Sequence, residues 1–202
     1  MNWQRLDREN TIKIIESVRS AGEAGLFSLT TSEVKKARLS FYETIGLFKL
    51  TNFASLPSFT FEYLGDGTHF QYLDGTEQPI YSTNDKSTFE LNERTVLDYL
   101  EFFFSHVAFE EEEMAMILNP NDNPLLDSLD MDSADSVIRN HKTPVVSYDA
   151  GFDRHTVEAD LYADGLLIRA TIEVTASGRV SIVDRKMIVN AVAHSAISGI
   201  MA

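Results

Sequence analysis

The sequence contains no cysteine, one tryptophan and five prolines in 202 residues. Without cysteine there is no thiol nucleophile, no disulfide framework and no thiolate metal site. Positive charge is also scarce: 17 Lys and Arg stand against 31 Asp and Glu, a formal charge of −14. A surface of that sign repels nucleic acid and anionic lipid, so neither is expected as a partner. Long apolar runs are missing as well. A membrane-spanning helix needs about 18 apolar residues in succession, and a secretory signal needs a run of about 7–15. The segment at 1–7 interleaves acids and bases, and the apolar tail at 189–202 is broken by His194, Ser195 and Ser198. A cytoplasmic location without membrane attachment is expected. The phosphate-loop, dinucleotide, zinc-protease and nucleophile-elbow motifs are all absent, so no cofactor, no metal and no catalytic residue is assigned.

What is present is enough apolar material for a core: 44% of residues are hydrophobic, with 13 Phe and 7 Tyr. At about 100–200 residues per domain, residues 1–202 read as one domain. Ile12, Ile14, Ile15 and Val18 predict a helix over 7–20. Thr31-Ser32-Glu33-Val34 signals either a short helix to Leu39 or a turn into a strand. Residues 41–53 read as a strand. In 58–64, Phe59, Phe61 and Tyr63 alternate with Ser58, Thr60 and Glu62, and after Gly65-Asp66-Gly67 the alternation resumes through Phe70 and Tyr72. That pattern predicts a β-hairpin over 58–73. Residues 79–83 read as an edge strand, where proline is tolerated.

Asn92 is a good N-cap, and Val96, Leu100, Phe103, Phe104 and Val107 follow at helical spacing, predicting a buried core helix over 93–107. Residues 110–118 extend that helix or form a strand. Residues 118–136, rich in Asp, Asn and Pro, read as an acidic loop. From Val145 onward the alternation around Asp164-Gly165 and Ala176-Ser177-Gly178 predicts a three-stranded meander with one apolar side, leaving Glu158 and Asp160 on the polar side. The expected fold is α+β: two antiparallel β-meanders packed around a central buried helix, with an N-terminal helix.

The acidic excess is local. Residues 61–135 hold two bases against eighteen acids, a net of −16, while the rest of the chain is nearly neutral. Glu110, Glu111, Glu112, Glu113, Asp127, Asp130, Asp132 and Asp135 form a candidate docking surface for a protein with a basic face. The Asp130-x-Asp132-x-x-Asp135 run resembles a calcium loop in spacing but lacks the glycine and terminal glutamate of an EF-hand. His106, Glu110 and Glu113 would share a face only if the 93–107 helix continued. Asp153-Arg154-His155 reads as a polar turn or an outward strand face.

The function expected from these features is non-catalytic protein–protein interaction in the cytoplasm, through the 110–135 segment, in a homo-oligomer. The alternative is a small-molecule-binding protein or enzyme with a pocket between the aromatic hairpin (58–73) and helix 93–107, lined by Phe61, Tyr63, Phe70, Tyr72 and Phe103.

Overall fold

The computed structural model describes residues 1–20, 26–109, 112–120 and 129–190, with Ser20, Glu112 and Glu113 described by backbone alone. It is mixed α+β, with two antiparallel five-stranded sheets. The chain divides into two compact units, Met1–Glu90 and Leu91–Ala202.

The first unit is a five-stranded antiparallel meander in sequence order: β1 (Trp3–Arg5), β2 (Ser32–Arg38), β3 (Gly46–Asn52), β4 (Phe59–Gly65) and β5 (Phe70–Tyr72). Helix α1 (Arg8–Ser20) begins where Asp7 accepts a hydrogen bond from the Asn10 amide at 2.9 Å. Its Ile14, Ile15 and Val18 join Val34, Phe48, Leu50 and Tyr63 in one core cluster. The register explains the shared face: Val34 lies opposite Leu50, which lies opposite Phe61, and Phe48 opposes Tyr63, which opposes Tyr72. Side chains two apart along a strand point the same way, so the alternation in the sequence becomes one apolar wall.

One choice is decided here and one expectation changes. Of the two readings at Thr31-Ser32-Glu33-Val34 the turn into a strand is the one observed, since β2 pairs along its length with β3. Residues 79–83 are not a strand: α2 (Gln78–Asn84) places Pro79 in its first turn, where the missing N–H costs nothing. Buried Ile80 and Tyr81 of α2 accompany its contacts with β4 and β5. Asn84, the last residue of the helix, accepts a hydrogen bond from the Tyr42 hydroxyl.

The second unit opens with α3 (Thr95–His106). Asn92 Oδ1 accepts from the Arg94 and Thr95 amides at 3.0 Å each, while Thr95 Oγ1 accepts from the Asn92 amide at 2.9 Å. This reciprocal cap explains the start. Val96, Tyr99, Leu100, Phe102, Phe103 and Phe104 are buried, and the Tyr99 hydroxyl donates to the Gly178 carbonyl at 2.6 Å. The helix stops at His106 because Val107 takes an extended conformation. Short strands follow: β6 (Ala108–Phe109) pairs with β7 (Glu112–Glu113), and β8 (Ala115–Ile117) joins the main sheet.

That sheet contains β9 (Val145–Asp149), β10 (Arg154–Ala163), β11 (Leu166–Thr175) and β12 (Val180–Asn190). Its order is β12-β11-β10-β8, with β9 also pairing β10. Strand β10 is central: β11 flanks it along its whole length, while β9 and β8 share its other side. Asp164 and Gly165 both adopt positive φ (43° and 82°), the two-residue turn that matches strand twist. The loop expected over 118–136 ends earlier than expected, because α4 (Met131–Asn140) begins inside it. Asp130 caps α4 by accepting from the Ser133 amide and hydroxyl, at 2.9 Å each. Among the described residues no helix is long and apolar enough to cross a membrane.

Gly65 ends β4 under tight constraint: an added Cβ would lie 2.6 Å from the His69 carbonyl oxygen and 2.6 Å from the Phe70 ring. The ring can turn, but the backbone oxygen cannot without disturbing the hairpin. Gly65→Ala is therefore expected to lower unfolding free energy by about 1–3 kcal/mol. Urea denaturation checks this; an unchanged midpoint would contradict it.

Candidate functional site

The aromatic residues of the first hairpin are packed edge to face. Phe61 and Tyr72 meet at 5.3 Å between ring centroids and 72° between planes, Tyr63 and Phe70 at 6.4 Å and 89°, and Phe48 and Phe70 at 5.1 Å and 83°. Tyr63 is buried, and Phe61, Phe70 and Tyr72 are half-buried against the cluster that includes α1. These contacts are the geometry of ring packing in a core. Phe103, fully buried, belongs to the second unit.

Of the acidic candidates, Glu110, Glu111 and Asp127 lie outside the described residues, and Glu112 and Glu113 form β7. Asp130, Asp132 and Asp135 are brought together by α4. The calcium-like spacing is therefore a helix start, with Asp130 as its cap. Hydrogen bonds from Ser133 hold the Asp130 carboxyl below its ordinary value. Asp132 and Asp135 project outward, in company with Met131 (81% exposed) and Ile138 (38% exposed). Residues 131, 135 and 138 follow helical spacing, so Met131, Asp135 and Ile138 share one outward face. The opposite face buries Ser133 and Val137. Val137 clusters with Ile117, Leu167 and Val189, which fixes α4 on the sheet face that carries Leu167.

That face is the one expected to be the polar side of the meander. It buries Asp160 completely. The Asp160 carboxylate accepts from Arg169 Nε at 2.9 Å and Nη2 at 3.2 Å, and from the Lys142 amide at 2.7 Å. Arg169 Nη2 also donates to the Asn140 carbonyl at 3.0 Å, at the end of α4. His141 Nδ1 lies 3.2 Å from Asp160 Oδ2, off the hydrogen-bonding line. A carboxylate engaged this fully is a clamp between α4 and the sheet. The two-residue turn at 164–165 already sets Asp160 opposite Arg169, and Leu167 beside them signals that the face is covered.

His155 departs from the outward reading too. It faces inward from β10 between Tyr148 and Val174, is 5% exposed, and its Nδ1 has no hydrogen-bond partner among the described residues. Its ring lies 4.9 Å from that of Tyr148. His106 is occupied locally, its Nδ1 2.7 Å from the Phe102 carbonyl. Because α3 ends at this residue, no helix carries His106 and Glu113 on one face. Among the described residues no group of three or more His, Asp or Glu side chains is arranged to hold a metal ion. No family model, curated protein or solved structure matches the chain.

Burial lowers the His155 pKa below its ordinary 6.5, against the opposing fields of Glu93 and Asp153. The unfolded chain therefore takes up the proton more readily than the folded one, and stability falls as pH drops below about 6.5. Stability is expected to decline between pH 7 and pH 5, and His155→Phe should flatten that part of the profile. Denaturant titrations across this range measure it; an identical slope in the variant would contradict the assignment.

Proposed function

We propose that this chain is a non-catalytic cytoplasmic protein that works by docking a protein partner with a basic surface. The partner binds the acidic 110–135 segment, and the outward face of α4 is the part of that surface described by side chains. The observation that carries this reading is the mixture on that face: exposed Met131 and Ile138 beside exposed Asp132 and Asp135. Exposed acids alone serve solubility, and apolar groups among them add the dehydrated contact on which binding energy concentrates. The carboxylates give orientation and speed of encounter with a positive partner. Rigidity favours the same reading. The helix is capped by Asp130 at one end and clamped through Asn140 at the other, so little conformational freedom is lost on binding.

Immobilised full-length protein is expected to retain a partner at about 50 mM salt and to release it near about 500 mM, where screening acts within a few ångströms. Asp132→Lys/Asp135→Lys should weaken retention about tenfold or more. The double variant should stay folded, with a melting temperature lowered by no more than several degrees. That is the cost of a lysine in the first turn of α4 and of a like-charge pair with Arg139. Retention that ignores both salt and the charge reversal would overturn the proposal.

A further inference from the structure

Strand β12 is an outer edge of its sheet; among the described residues it pairs with β11 alone. One row of its backbone N–H and C=O groups therefore faces away from the sheet, as a template for another strand. Ser181 and Val183 through Met187 are exposed, with Val183 at 53% and Met187 at 60%.

The residue order indicates which strand fits. Around Arg185 the sequence has the same chemical type in both directions, with one change of sign: Ile182 matches Ile188, Val183 matches Met187, and Asp184 matches Lys186. A two-fold axis between antiparallel strands sets each residue opposite its counterpart across the centre. With the axis at Arg185, Asp184 of one copy faces Lys186 of the other, and the pair occurs twice. Val183 faces Met187 and Ile182 faces Ile188, also twice each. Asp184 and Lys186 lie opposite Thr171 and Arg169 of β11, so both charges sit on one face of the sheet and both ion pairs form on that side.

Arg185 meets its own copy on the other face, the single like-charge contact of the arrangement. Register shifts at Val183 and Ile188 bracket the regular stretch from Asp184 to Met187. Irregularities of this kind often blunt an edge. Here Asp184 to Lys186 form the regular centre, the apolar pairs lie at its irregular flanks, and a two-fold pairing of one edge closes on itself without growing into a ribbon. We infer that β12 is the self-association edge of this protein, joining two copies antiparallel about Arg185.

Because the chain has no cysteine, Arg185→Cys carries a unique thiol. Opposed residues of an antiparallel pair lie about 4.5–5.5 Å apart at Cα, within the range of about 4.4–6.8 Å that a disulfide spans. Mild oxidation of full-length Arg185→Cys should give a covalent dimer. Ser181→Cys, whose counterpart would be roughly 26 Å away, should not. In sedimentation equilibrium, Asp184→Lys and Lys186→Asp should each weaken the wild-type dimer about tenfold or more, and the double exchange should restore it. A wild-type protein that stays monomeric at about 100 μM would overturn the inference. So would equal cross-linking of the two cysteine variants, or a double exchange that remains monomeric.

Discussion

The second unit is organised around one buried charge. Asp160 sits in the central strand with no solvent exposure, where an uncompensated carboxylate would be strongly destabilising. Compensation comes from Arg169 across the β10–β11 pair and from the Lys142 amide just past α4, so three pieces of chain must be in place together. Arg169 extends the link to the Asn140 carbonyl and closes the end of the helix. A hydrophobic contact tolerates sliding; a bidentate ion pair with a shared backbone amide does not. The outward face of α4 is defined because its inward side is held this way.

The first unit solves the same assembly problem with apolar surface, its aromatic wall lying against α1. Several of its acids are engaged in local structure. Glu62 pairs with Lys49 at 2.7 Å, and Glu33 bridges Arg5 and Lys35. Asp66 accepts from the His69 and Thr68 amides and from the Thr68 hydroxyl, bonds that hold its carboxyl far below the ordinary range. Asp74 binds Thr76 in the same fashion. The negative charge of 61–135 thus has two characters. Much of it in the first unit fixes turns and ladders, whereas Asp132 and Asp135 in the second point outward beside exposed apolar side chains.

The parts of the fold legible in the sequence were those governed by periodicity and turn chemistry. Phe59, Phe61 and Tyr63 announced their strand, Asp164-Gly165 its hairpin, and Asn92 its helix. Short elements were misread where one residue serves two structures. Pro79 suits an edge strand or the first turn of a helix, and Asp130 suits an acidic loop or an N-cap. The burial of Asp160 was hidden because alternation separates one face of a strand from the other but does not say what covers each. Leu167 and Tyr162, apolar on the supposedly polar side, were the available sign. The outward face of α4 was legible only as charge, since Met131 and Ile138 acquire their relation to Asp135 once the segment is helical.

Amide hydrogen exchange across Met131–Asn140, compared between the wild-type chain and Asp160→Asn, tests most directly whether the buried carboxylate holds this helix. The account predicts that the α4 amides lose protection in the variant while the β11–β12 ladder keeps its own. Unchanged protection of α4, or equal loss throughout the unit, would contradict it.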